Sequence, residues 1–94
     1  QTEESAGHIL ELACNLDDMT PEELGFAMEE LFRLGALDVY FTDIGMKKSR
    51  PGVMLTCMCR EAQRDEMLRC IFKHTTTIGV REYTCGRYSL SRSI

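Results

Sequence analysis

Apolar and polar positions alternate from His8 to Cys14, placing Leu10, Leu12 and Cys14 on one side, until the polar stretch Asn15-Leu16-Asp17-Asp18 intervenes. That pattern predicts a first strand with one buried face. Thr20-Pro21-Glu22-Glu23 then opens a helix, with Thr20 as N-cap, Pro21 at the first helical position and Glu23 closing a capping box. Leu24, Ala27, Met28 and Leu31 recur at helical spacing as an apolar stripe. Gly35 follows as the stop, because glycine takes the left-handed C′ conformation without a Cβ penalty. Leu37 to Ile44, rich in β-branched and aromatic residues, predicts a second strand. Beyond the turn bracketed by Gly45 and Pro51-Gly52, Val53 to Cys59 predicts a third. Its alternation puts Val53, Leu55, Cys57 and Cys59 on one face and Met54, Thr56 and Met58 on the other. Glu61 to His74 predicts a second helix carried by Met67, Leu68, Ile71 and Phe72, which the threonine run ends. Ile78 to Tyr88 supplies a last strand.

The order βαββαβ within 94 residues predicts an α+β, ferredoxin-like sandwich: a four-stranded antiparallel sheet, in order 4-1-3-2, with two helices on one face. Residues 8–90 form that domain, between a polar N-terminal tail (1–7) and a short tail (91–94). The polar start at Gln1 suggests a domain of a longer protein. Helical crossovers make strands one and two parallel, and likewise three and four, while the hairpin reverses strand three. One edge of the sheet therefore collects the end of strand one, the strand two–three turn and the start of strand four. Those connections carry Asp17-Asp18, Lys47-Lys48-Ser49-Arg50 and Thr75-Thr76-Thr77.

Adjacent carboxylates, a dibasic-plus-arginine turn and a threonine cluster suit a divalent cation and a phosphorylated ligand. Asp17 and Asp18 are hard oxygen donors for Mg²⁺ or Mn²⁺, commonly shared with phosphate oxygens. They also complement the positive end of the first helix, and that role alone would account for them. Lys47, Lys48 and Arg50 precede a stiffening Pro51, which helps hold a phosphate fork, although hairpin tips carry solubilising charge for other reasons. Thr75, Thr76 and Thr77 offer hydroxyls either to a ligand or to their own loop backbone.

Composition narrows the picture. A net charge of −4 argues against a broad nucleic-acid surface. No apolar run approaches the roughly 18 residues of a membrane helix. Five cysteines, an odd number without a CxxC pair, read as reduced thiols of a cytoplasmic protein. An RNA-binding βαββαβ domain would show aromatic residues on the exposed face of the central strands, where strand three offers Met54, Thr56 and Met58. If two helices cover only one face, Met54 and Met58 lie on the other and predict a homo-oligomer.

The ordered motifs Asn-x-Asp-Asp-Met-Thr-Pro-Glu, Gly35-Ala36-Leu37-Asp38-Val39 leading to Met-Lys-Lys-x-Arg-Pro-Gly, and Thr-Thr-Thr-x-Gly-Val-Arg span about Leu10 to Tyr88. In these the chain resembles the C-terminal domain of the LarC nickel-insertion proteins. The resemblance implies an enzyme that inserts nickel into pyridinium-3,5-bisthiocarboxylic acid mononucleotide, a chelatase of the lyase class. It completes the nickel-pincer cofactor of lactate racemase with CTP and Mg²⁺ or Mn²⁺. It implies that this domain binds the metal–CTP complex and forms a trimer or hexamer, while the rest of the full-length protein delivers nickel. By position, Lys47, Lys48, Arg50 and Thr75 to Thr77 would meet the nucleotide, and Asp17 or Asp18 the cation; no catalytic residue is assigned. The family's histidine-rich stretch has no counterpart, since His8 and His74 are the only histidines. The alternative is a ferredoxin-like small-molecule-binding or assembly module without catalysis.

Overall fold

The computed structural model describes residues 8–45, 51–77 and 79–85. Its elements are β1 (Ile9–Leu16), α1 (Pro21–Arg33), β2 (Asp38–Gly45), β3 (Pro51–Arg60) and, after a 3₁₀ turn over Glu61–Gln63, α2 (Arg64–His74) and β4 (Arg81–Thr84). The sheet order is β2-β3-β1-β4, and every adjacent pair is antiparallel. This is the predicted 4-1-3-2 arrangement.

Local chemistry explains the boundaries. Thr20 Oγ1 accepts the Glu23 N–H at 3.1 Å, and Glu23 Oε1 accepts the Thr20 N–H at 2.9 Å. Two of the backbone donors left unpaired at the start of α1 are thereby satisfied, and Pro21 has none to satisfy. Gly35 closes the helix at φ 104°, and its carbonyl accepts from Gln63 Nε2 at 2.9 Å. The positive φ favours glycine here, and a Cβ at Gly35 would meet that nitrogen at 2.8 Å, displacing the Gln63 amide from its bond.

The core lies between the helices and one sheet face. Leu10, Leu12, Cys14 and Leu16 of β1 join Leu55, Cys57 and Cys59 of β3, Val39 of β2, Leu31 of α1, and Met67, Cys70 and Ile71 of α2. Every second residue of the two central strands contributes, as the pleat demands. The predicted stripe of α2 needs correcting. Phe72 stands 47% exposed, whereas Cys70 is buried at 6%. Met67, Cys70, Ile71 and His74 follow the i, i+3, i+4, i+7 spacing of one face, and Phe72 falls a further 100° round the helix.

Other departures concern ends. β1 runs through Asn15 and Leu16, because the exposed Asn15 continues the alternation on the uncovered face. The stretch read as the start of α2 is the 3₁₀ turn, where the Arg60 N–H donates to Gln63 Oε1 at 2.9 Å. Within the described residues β4 is confined to Arg81–Thr84; Ile78 and the predicted extension to Tyr88 beyond Cys85 lie outside them.

No helix among the described residues covers the other sheet face. Its central row is Tyr40–Thr56–Ala13–Arg81, with Asp38–Met58–Glu11–Tyr83 beside it. Met54 and Met58 are half-buried, while Tyr40 and Tyr83 are 40% and 49% exposed.

All five cysteines are free thiols; Cys14, Cys57, Cys59 and Cys70 are buried and Cys85 is exposed. Burial pushes the Cys57 thiol up to about 12, with Cys59 and Cys70 adding to the shift. Burial also raises Cys14, Cys59 and Cys70. Partial burial and the neighbouring Glu11 raise Cys85 as well, but it is the exposed thiol, so a thiol reagent at mildly alkaline pH should label Cys85 and reach the other four only after denaturation. Fewer than five thiols in unfolded, unreduced protein would contradict the reduced state.

Candidate functional site at one sheet edge

Strand register brings the first and third motifs to the same sheet edge as the strand ends that flank the second. Leu16, the last residue of β1, pairs with Val53 near the start of β3, and Gly45 at the end of β2 pairs with Pro51. Arg81, the first residue of β4, pairs with Ala13. Asp17-Asp18 thus leaves the sheet where the β2–β3 hairpin begins and ends, and where the Thr75–Thr77 loop enters β4. Lys47, Lys48 and Arg50 belong to that hairpin and lie outside the described residues.

Thr75 Oγ1 donates to the Ile71 carbonyl at 2.8 Å, closing the last turn of α2, and accepts from the Thr77 N–H at 3.3 Å. Thr77 Oγ1 donates to the Gly79 carbonyl at 2.7 Å and accepts the Gly79 N–H at 3.3 Å. A hydroxyl has one proton to give, so these two serve their own loop. Thr76 differs: its Oγ1 reaches out of the loop and donates to Asp18 Oδ1 at 2.6 Å. Arg81 makes a parallel link, donating through Nη2 to Asn15 Oδ1 at 3.2 Å and toward Met54 Sδ at 3.5 Å. Burial pushes the Cys14 thiol up, and the Arg81 charge opposes that rise. The third motif therefore grips the first at two points, Asp18 and Asn15.

Beside these contacts lies a cavity of about 300 Å³ between the first turn of α1 and the sheet edge. Leu16, Met19, Leu24 and Val53 give it apolar walls, and Asp17 and Asp43 supply carboxylates. Asp43 and Arg81 were not singled out as site residues. Asp43 pairs with Val53, and so faces the same way as Leu16. That placement follows from register, which single-strand patterning does not give. Arg81 closes the threonine motif, a signal that was present but unused.

Among the described residues no three His, Cys, Asp or Glu side chains cluster as a ready metal site. The edge nevertheless suits a hard divalent cation: Asp17 and Asp18 are oxygen donors, and such ions complete their shells with phosphate oxygens and water. Cys57 and Cys59 share a face but lie wholly in the core, as small hydrophobes. No helix among the described residues is long and apolar enough to cross a membrane.

Comparison with known proteins agrees with the motif resemblance. The family model described as nickel insertion protein matches residues 1–94. A pyridinium-3,5-bisthiocarboxylic acid mononucleotide nickel insertion protein from Acetivibrio thermocellus is 47% identical over 83 residues, which are 88% of this chain and 20% of that protein. A protein of the same name from Staphylococcus saprophyticus is 45% identical over 91 residues, 97% of this chain and 23% of its own length. The chain thus spans about a fifth of these relatives. Among solved structures, LarC2, the C-terminal domain of a cyclometallase involved in synthesis of the NPN cofactor of lactate racemase, superposes with TM-score 0.79 at 45% identity. That match covers 82% of this chain and 54% of LarC2. A protein from Methanopyrus kandleri superposes with TM-score 0.76 at 25% identity, over 82% of this chain and 47% of its own. With a family model covering its whole length and relatives of this similarity, the chain belongs to the nickel insertion protein family.

Proposed function

We propose that this chain is the C-terminal, metal–nucleotide-binding and oligomerising module of a longer cytoplasmic nickel insertion protein. The full-length protein, a nickel chelatase of the lyase class, uses nickel as a substrate and completes the nickel-pincer nucleotide cofactor. The module takes CTP with Mg²⁺ or Mn²⁺. The observation that carries this reading is the convergence of Asp17-Asp18, the ends of the β2–β3 hairpin and the threonine loop on one sheet edge. Lys47, Lys48 and Arg50 neutralise the triphosphate, Arg50 with a planar fork that matches phosphate oxygens. Asp17 and Asp18 face the cation, which supplies charge neutralisation between carboxylates and phosphates. Thr75, Thr76 and Thr77 border the nucleotide and shape the loop beside it.

Asp17→Asn and Asp18→Asn test the cation assignment. Each should reduce the enhancement of CTP binding by Mn²⁺ while leaving metal-free affinity near that of the parent. Equal losses with and without metal would remove both aspartates from the cation site.

The uncovered sheet face supports assembly as a trimer or hexamer. Two exposed tyrosines and two half-buried methionines surround a floor formed by Ala13 and Thr56, and such patches commonly mark interfaces. Thr56 Oγ1 is buried without a hydrogen-bond partner. Light scattering should give a mass of three or six times the 10.7 kDa chain; a monomer at high micromolar concentration would contradict this.

A further inference from the structure

Thr76 and Asp18 are 58 positions apart in sequence, in different loops, and both are exposed. An exposed hydroxyl can satisfy itself with water, so a 2.6 Å bond to a carboxylate across two loops calls for an explanation. That length is typical of an O–H donor on an ionised acceptor, the stronger class of hydrogen bond. Thr75 and Thr77 hold the loop's own backbone, at Ile71 and Gly79, which fixes the segment from which Thr76 projects. Arg81 holds Asn15, three residues before Asp18, through the same motif. The Asp18 carboxylate is thus held at one oxygen. Among the described residues no further hydrogen bond engages Asp18, which leaves Oδ2 for another partner.

We infer that Thr76 is a positioning residue. It orients Asp18 so that Oδ2 meets the divalent cation of the metal–nucleotide complex, and it does not itself bind phosphate. The inference rests on the proposed reading of Asp18 as a cation ligand, and it reassigns the threonine motif from ligand contact to a clamp on the first motif. Outer-shell partners of this kind set the orientation and basicity of metal-ligating groups, and their loss typically weakens metal affinity about 10- to 100-fold.

The test uses the 94-residue chain and its variants Thr76→Val, Thr76→Ser, Asp18→Asn and Asp18→Asn/Thr76→Val. Calorimetry would measure CTP binding with Mn²⁺ and with a chelator. Thr76→Val keeps the shape and removes the hydroxyl. It should weaken Mn²⁺-dependent CTP binding by about tenfold and leave metal-free CTP binding unchanged. Thr76→Ser should restore the parent behaviour. In the Asp18→Asn background, Thr76→Val should cause no additional loss, because its effect acts through that carboxylate. The melting temperature should move little, since both groups are exposed. Three results would overturn the inference: parental binding in Thr76→Val, an equal loss without metal, or an undiminished loss in the Asp18→Asn background. The last two would make the hydroxyl a nucleotide contact. If the parent binds no metal–CTP, the proposed function fails and the inference fails with it; parental binding with unaffected variants removes the inference alone.

Discussion

Lys48→Ala and Arg50→Ala should each weaken binding of metal–CTP by roughly ten- to a hundredfold. On the proposed function each would remove hydrogen bonds to a charged group, which contribute about 1.5–3 kcal/mol, and about 1.4 kcal/mol corresponds to tenfold in affinity. Arg50→Lys should also weaken binding, because lysine keeps the charge and loses the planar fork. Stability should hardly change, since charges on a hairpin connection contribute little to folding. Titration calorimetry alongside thermal melts separates the two quantities. Parental affinity in both alanine variants would make the segment a solubilising hairpin and remove the phosphate site.

Leu12→Ala should have the largest effect on folding. Leu12 is fully buried at the centre of β1, paired with Cys57 on one side and Glu82 on the other. Removing such a leucine costs about 2–5 kcal/mol through lost burial and the cavity left behind. A domain of this size is stable by about 5–15 kcal/mol, and each 1 kcal/mol moves its melting midpoint by about 4–8 °C. The variant should therefore melt at least about 8 °C below the parent. Phe72→Ala, at the exposed aromatic position of α2, should remain within about 1 kcal/mol of the parent. A larger loss for Phe72 than for Leu12 would invert the core described above.

The sheet order was legible because few alternatives remain once two helical crossovers and one strand-to-strand connection are read from the pattern. Thr20-Pro21 and Gly35 announced the limits of α1 through backbone needs that are local, and local needs are visible in a linear sequence. Phe72 is the larger apolar side chain, but the helical period gives the inward position to the smaller Cys70. The 3₁₀ turn was missed because Glu61-Ala62-Gln63 has helical composition. Its geometry depends on Gln63 reaching both Arg60 and the carbonyl of Gly35, a residue 28 positions earlier.

The site divides in the same way. Topology alone brought Asp17-Asp18, the threonine loop and the strand ends that flank the basic segment to one edge. The partners of Thr76 and Arg81 could not be read, because each depends on where a side chain points across two connections. Asp43 was passed over because only register reveals that it lines the same cavity as Asp17.

The central claim is most directly tested by calorimetric titration of the chain with CTP, ATP, GTP and UTP, each with and without Mn²⁺. The proposed function predicts saturable binding that prefers CTP and is strengthened by the metal. Binding indifferent to base and metal, or no binding to any of the four, would contradict it.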